Sequence, residues 1–272
     1  MIGIGNNILM KNNISIAWDL TNVTYIQTYV TSSQDAFPIQ AVFSPDGTKM
    51  YILGNSNKKF FQYSLSTAWD ISTSTYVAAG GSMSAKEFGE TGIFIKPDGT
   101  KIYMIGITND SIHEYNLTTA WDITTQTFVQ TKSLSGISLN PKNSFFSSDG
   151  LNFYFLCADG LEQCSLSSAW NVSTITSVRT LTVATLNSQD TSMQGLWFKD
   201  DGTKMFLMGR INDRVYEYDL STAWDISTAT YSKYFSTSPQ ETVGTGMSFN
   251  FDGTKIYVSG QTSDGVIQYN IT

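Results

Sequence analysis

The sequence predicts an all-β protein, a closed five-bladed β-propeller with four antiparallel strands in each blade. Two markers recur at nearly constant spacing and predict this fold. The first is Asp-Gly, which begins at residues 46, 98, 149, 201 and 252. The second is Ala-Trp-Asp or a near variant, which contains Trp18, Trp69, Trp121, Trp170 and Trp224. Five copies of each marker span the chain, as expected for an array of one unit of about 50 residues.

Each unit contains four short runs that are typical of β-strands. In the first unit these runs are residues 40–44, 49–53, 60–65 and 75–79, rich in β-branched and aromatic residues and separated by Gly, Pro, Asn, Asp and Ser. Asp-Gly joins the first run to the second, because glycine tolerates the positive φ of a tight hairpin. The second run repeats an aromatic residue that we expect to fill the space between neighbouring sheets. Its five copies are Tyr51, Tyr103, Tyr154, Phe206 and Tyr257.

The phase of the repeat predicts that the ring is closed by the two ends of the chain. The chain starts with a lone Trp marker and a fourth strand near residues 24–30, and it ends after the third strand of the fifth unit. The N-terminal strand therefore completes the last blade, whereas an open array would leave both sheet edges unpaired. We expect residues 14–272 to form one propeller domain and residues 1–13 to be a tail or attachment peptide.

Composition excludes several classes of partner. Only 14% of the residues are charged and the formal net charge is −7, which argues against the clustered Lys and Arg of a nucleic-acid-binding surface. Apolar runs are too short to span a membrane, so no membrane insertion is predicted. The two cysteines, Cys157 and Cys164, are too few for a disulfide framework.

The loops between blades contain the candidate ligand-binding residues. An amide or lysine followed by a carboxylate recurs there and would circle one mouth of the central channel. The candidates are Gln34, Asp35, Glu87, Gln189, Asp190, Gln240 and Glu241. One interpretation is a site for a cation, with Ca²⁺ as the candidate, or for a sugar or peptide. The other is that each carboxylate accepts hydrogen bonds from backbone N–H groups of nearby turns. No other cofactor and no metal-ligand motif is predicted.

No catalytic residues are predicted. A glycosidase needs carboxylates in unlike environments, so that one is protonated while another is ionised. Asp35, Glu87, Asp190 and Glu241 occupy like positions in like loops, and the single histidine, His113, lies within a predicted strand. The sequence therefore predicts a protein that is not an enzyme, and a glycan-active enzyme is the least favoured alternative.

The repeat also resembles that of a known group of proteins. Phe-Ser-Pro-Asp-Gly-Thr-Lys-Met-Tyr at residues 43–51, followed by Leu-Ser-Thr-Ala-Trp-Asp-Ile-Ser-Thr at residues 65–73, resembles the propeller repeat of bacteriophage tail-associated proteins. It is distantly similar to YVTN-type propellers. The phage resemblance implies a non-catalytic tail or capsid accessory protein, at a virion or extracellular surface, that binds a host-surface glycan or another virion protein. A purely structural spacer or decoration of the virion is the alternative.

Overall fold

The computed structural model shows five four-stranded antiparallel sheets arranged as a ring, and it describes residues 16–83, 89–182, 186, 189–238 and 240–272. Blade one contains β2 (Pro38–Phe43), β3 (Lys49–Gly54), β4 (Lys59–Leu65) and β5 (Ser74–Ala79). Blade two contains β6 (Glu90–Ile95), β7 (Lys101–Gly106), β8 (Ser111–Leu117) and β9 (Gln126–Ser133). Blade three contains β10 (Lys142–Phe146), β11 (Asn152–Cys157), β12 (Gly160–Leu166) and β13 (Ile175–Thr182). Blade four contains β14 (Met193–Phe198), β15 (Lys204–Gly209), β16 (Arg214–Leu220) and β17 (Ala229–Ser236).

The fifth blade joins the two ends of the chain, as the sequence predicts. It consists of β18 (Gly244–Phe249), β19 (Lys255–Gly260), β20 (Gly265–Ile271) and the N-terminal strand β1 (Val23–Val30), which pairs with β20. The backbone N–H of Thr272 donates to the carbonyl of Asn22 at 2.8 Å and extends this pairing. The predicted all-β propeller of five four-stranded blades is therefore confirmed. Residues 1–13, the predicted tail, lie outside the described residues.

Neighbouring blades are linked through their innermost strands. The Gln40 side chain lies near the ring axis, where its Nε2 donates to the carbonyl of Met247 at 3.2 Å and its Oε1 accepts from the N–H of Ile93 at 3.0 Å. One buried amide thus joins blades five, one and two. Because a side chain this buried has no water to bond, both of its hydrogen bonds stabilise the closed ring.

The two sequence markers are two halves of one contact. In blade one, Gly47 has a φ of 70° and Trp69 a φ of 65°, and the N–H of Trp69 donates to the carbonyl of Gly47 at 3.0 Å. The indole ring lies against Gly47 so closely that a Cβ there would overlap it. Each blade repeats the contact; the other pairs are Trp121 with Gly99, Trp170 with Gly150, Trp224 with Gly202 and Trp18 with Gly253. The near-constant spacing of both markers follows from this packing.

The residue after each of four tryptophans begins a short 3-10 turn. The carboxylate of Asp70 accepts from the N–H of Ser72 and caps the turn Ile71–Thr73. Equivalent turns are Ile123–Thr125, Val172–Thr174 and Ile226–Thr228. The turn directs the chain into the outermost strand of the same blade.

The repeated aromatic residue of the second strand packs between blades, as predicted. Tyr51 is fully buried, and its hydroxyl donates to the carbonyl of Trp121 in the next blade at 2.8 Å. The same bond joins Tyr103 to Trp170, Tyr154 to Trp224 and Tyr257 to Trp69. Blade four has Phe206 at this position and has no hydroxyl to donate. The position therefore supplies both apolar packing and, in four blades, an inter-blade hydrogen bond.

Candidate functional site

The ring has two open ends, which differ in their loops. We call the end that carries the blade-to-blade loops and the hairpins between second and third strands the loop face. The opposite end, which carries the five Asp-Gly hairpins, is the Asp-Gly face. The predicted ligand-binding residues belong to the loop face.

The predicted carboxylates are buried and bonded to the backbone. Asp35, Asp190 and Glu241 are at most 2% exposed. Each accepts from N–H groups of its own loop and of the hairpin beside it: Asp35 from Phe37 and Asn57 at 2.8 and 2.7 Å. Asp190 and Glu241 repeat this arrangement with their own hairpins. Such hydrogen bonds to backbone N–H groups are the second of the two interpretations that the sequence left open for these carboxylates.

Glycine makes room for these carboxylates. Gly54, Gly209 and Gly260 end the second strands of blades one, four and five, and a Cβ at any of them would overlap the carboxylate of that blade. The carboxylates therefore fill space inside the hairpins, where they satisfy N–H groups that no strand partner reaches.

The remaining predicted residues have mixed positions. The Gln34 carbonyl accepts from Asn57 Nδ2 at 2.6 Å, and the Gln189 carbonyl accepts from Asn212 Nδ2 at 2.6 Å. Gln240 is half-buried in the equivalent loop, and Glu87 lies outside the described residues. Within the described ranges no group of three or more His, Cys, Asp or Glu side chains is placed to hold a metal ion. Ligand or Ca²⁺ binding by these loops stays a prediction.

An aromatic cavity at the Asp-Gly face was not predicted from the sequence. It has a volume of about 280 Å³ and is open at the channel mouth. Four of the repeated tryptophans reach it, together with aromatic residues of the innermost strands. The aromatic lining residues are Trp18, Phe43, Trp69, Phe94, Trp121, Phe145, Phe146, Trp197, Trp224, Phe249 and Phe251. Regular spacing gave a structural explanation for the repeated tryptophans and for Phe43, Phe146 and Phe249, and Trp197, which lies outside that series, was expected to be a core residue.

The rim of this cavity differs from blade to blade. The residue before each Asp-Gly lines it, and in chain order the five are Pro45, Pro97, Ser148, Asp200 and Phe251. Asp200 is the only one with a charge. Partial burial of its carboxylate raises its pKa above the usual value, and the nearby Asp201 raises it further. A specific binding site uses different residues at equivalent positions, whereas the repeated fold alone does not require such differences.

The Asp-Gly hairpins carry an excess of negative charge. The residues from 43 to 48 and their counterparts in the other blades include six aspartates but only two lysines. Both lysines pair locally, Lys96 with Asp98 at 2.6 Å and Lys199 with Asp201 at 2.7 Å. Lys96 also lies 5.7 Å from the ring centre of Trp170, a cation–π distance. Because Lys49, Lys101, Lys204 and Lys255 follow these turns, the negative excess belongs to the turns themselves and to Asp200, which lines the cavity.

Comparisons with known proteins show the fold but no family. No protein-family model matches the chain, and no curated protein matches it. Among solved structures, a protein named putative 6-phosphogluconolactonase from Bacteroides uniformis is similar at 12% identity and a TM-score of 0.51, over 86% of this chain and 66% of that one. A functionally unknown protein from Desulfotomaculum acetoxidans shares 12% identity, with a TM-score of 0.48, over 88% of this chain and 72% of that one. A second protein named putative 6-phosphogluconolactonase, from Bacteroides fragilis, shares 13% identity, with a TM-score of 0.45, over 73% of this chain and 55% of that one.

These comparisons correct the function predicted from the sequence. The prediction of a non-catalytic phage virion protein is wrong: the similar structure from Bacteroides uniformis is named putative 6-phosphogluconolactonase, a name with no phage or virion link. Neither the phage nor the YVTN resemblance is supported beyond the fold itself. At 12% identity this likeness shows the fold alone, so the absence of enzyme activity stays a prediction. The repeat signature specified the architecture and not the activity built on it.

In the parts of the chain that the structure describes, no helix has the length and apolar character needed to cross a bilayer.

Proposed function

We propose that this protein is a binding module whose aromatic cavity takes a small organic cation with an apolar body. The observation that carries the proposal is the cavity itself, in which aromatic rings from all five blades meet. Its rim has a carboxylate, Asp200, at a position where the other four blades have uncharged residues. The apolar body would fill the cavity, and the positive charge would lie among the rings and the rim aspartates.

Aromatic faces and acidic rims favour the same ligand. Ring quadrupoles attract a cation with roughly 0.5 to 2 kcal/mol, more where water is excluded. The rim adds a negative potential, which raises the local concentration of cations and repels anions. An apolar anion would gain the same ring contacts but would meet Asp200 and the hairpin carboxylates.

Three ligands with one ring and different head groups test the proposal: 2-phenylethylammonium, 2-phenylethanol and phenylacetate. By calorimetric titration we expect the ammonium to bind roughly 3- to 30-fold more tightly than the alcohol. The carboxylate should bind most weakly. Equal affinity of the ammonium and the carboxylate would refute the charge assignment, and the absence of binding by all three would refute the proposed function.

Two substitutions separate the ring contacts from the charge. Asp200→Asn should weaken ammonium binding about threefold and leave the alcohol unchanged. Phe251→Ser places the residue of blade three on the rim, and because this ring is 65% exposed the fold should tolerate the change. Phe251→Ser should weaken the binding of all three ligands. Asp264→Asn, the same charge change on the loop face, is the matched control and should alter none of them.

A further inference from the structure

Two cationic residues, one in blade three and one in blade four, lie on the loop face, at the opposite end of the channel from the aromatic cavity. Lys142 begins β10, the innermost strand of blade three, and Arg210 follows β15 in blade four. At the position of Lys142 the other blades have Ile39, Thr91, Gln194 and Thr245. At the position of Arg210 they have Asn55, Ile107, Ala158 and Gln261. The fold therefore requires a cation at neither position.

A cavity of about 150 Å³ lies beside Lys142. Thr191 and Ser192 line it, along with Cys157, which is a free thiol. The backbone of Arg210 lies next to this lining, because its N–H donates to the carbonyl of Ser192 at 2.9 Å, and its side chain is exposed to solvent. The Ser192 hydroxyl oxygen accepts from Gln194 Nε2 at 2.9 Å, which leaves its hydroxyl proton available as a donor.

The two cations have no carboxylate partner. Across the described part of the chain, the ion pairs involve other lysines and arginines, and neither Lys142 nor Arg210 takes part in one. Asp190 lines the same cavity, but its carboxylate accepts from the N–H groups of Ser192 and Asn212, at 2.8 and 2.9 Å. Burial of Lys142 and the nearby charge of Arg210 lower the pKa of the Lys142 ammonium. A half-buried cation beside a second cation is costly unless an anion compensates it.

We propose that Lys142 and Arg210 bind a small oxyanion, a phosphate or carboxylate group, in this cavity. Its oxygens would accept charge-assisted hydrogen bonds from the ammonium and the guanidinium, with the hydroxyls of Thr191 and Ser192 as further donors. The site is separate from the cavity of the proposed function, and its ligand has the opposite charge.

Inorganic phosphate and acetate are the probes, titrated at constant ionic strength and followed by calorimetry and amide chemical shifts. Lys142→Gln introduces the residue of blade four and Arg210→Gln that of blade five, so both variants should fold. Each should weaken binding of the preferred probe about tenfold. Shifts should be confined to residues near 142, 191 and 210. Lys132→Gln, the same change on β9, is the matched control and should bind as the unmodified protein does.

Three outcomes would overturn this site. The first is that neither probe binds saturably, and the second is that both Gln variants bind as tightly as the unmodified protein. The third is that Lys132→Gln loses as much affinity as they do, which would indicate a general charge effect. Melting temperatures of the variants separate a lost site from a lost fold. Binding of 2-phenylethylammonium to Lys142→Gln should be unchanged, so that failure at one face is distinguishable from failure at the other.

Discussion

Gly253→Ala is expected to destabilise the ring by roughly 3 kcal/mol or more, which is the sum of two costs. Gly253 has a φ of 70°, a conformation that L-residues adopt only with strain. Its added Cβ would also overlap the indole ring of Trp18, which stacks on Phe249 at a centroid distance of 5.1 Å. Trp18 belongs to the N-terminal segment that closes blade five, so the clash falls on the closure itself.

Thermal and urea denaturation measure this effect. For a chain of this size the melting temperature should fall by roughly 6 to 12 °C. Gly136→Ala is the control, because a Cβ at Gly136 meets no atom within 4 Å. Its stability should change by less than about 1 kcal/mol. If the two variants melted together, the Trp–Gly contact would contribute nothing to closure of the ring.

Glu241→Gln should cost about 2 to 4 kcal/mol, because the amide replaces one acceptor oxygen by a donor. The carboxylate of Glu241 is fully buried and accepts from the N–H groups of Val243 at 2.7 Å, Thr262 at 3.1 Å and Ser263 at 3.0 Å. The Ser263 hydroxyl donates to it as well, at 2.8 Å. A glutamine NH₂ would point at least one donor at another donor.

Low pH should reduce the difference in stability between Glu241→Gln and the unmodified protein. Burial raises the pKa of Glu241, but the hydrogen bonds from Ser263, Val243 and Thr262 outweigh burial and hold the pKa below its usual value. The folded state therefore favours the ionised form. Its contribution to stability is complete above the unfolded pKa of about 4.3 and is lost as the pH falls through the lower folded value.

Urea denaturation between pH 7 and pH 3 tests both statements. The destabilisation by Glu241→Gln should be largest at neutral pH and should shrink below about pH 4. Asp213→Asn is the matched control: Asp213 has a φ of 50°, which asparagine tolerates, and burial together with Glu241 and Asp190 raises its pKa. Removing that charge should leave stability unchanged or slightly higher. A loss from Asp213→Asn equal to that from Glu241→Gln would mean that net charge, and not the buried hydrogen bonds, controls stability here.

The error in the predicted function has a physical origin. Residues 43–51 and 65–73 carry the resemblance to phage proteins, yet the structure shows that they build the Gly47–Trp69 contact and the strands beside it. Such residues recur wherever this blade is built, whatever the protein binds. The residues that differ between blades, such as Asp200 and Lys142, are those in which a specific function can reside.

The sequence by itself determined the number of blades, the four-stranded unit and the closure by β1. These features depend on local turn chemistry and on repeat phase, both of which are periodic along the chain. The tertiary structure decided where side chains of like sequence position point. It buried Asp35, Asp190 and Glu241 against backbone N–H groups, because hairpins remote in sequence needed acceptors. It also brought the aromatic residues of five blades into one cavity, and it placed Lys142 and the backbone of Arg210 at a second one, since the packing of blades into a ring makes residues of separate blades neighbours.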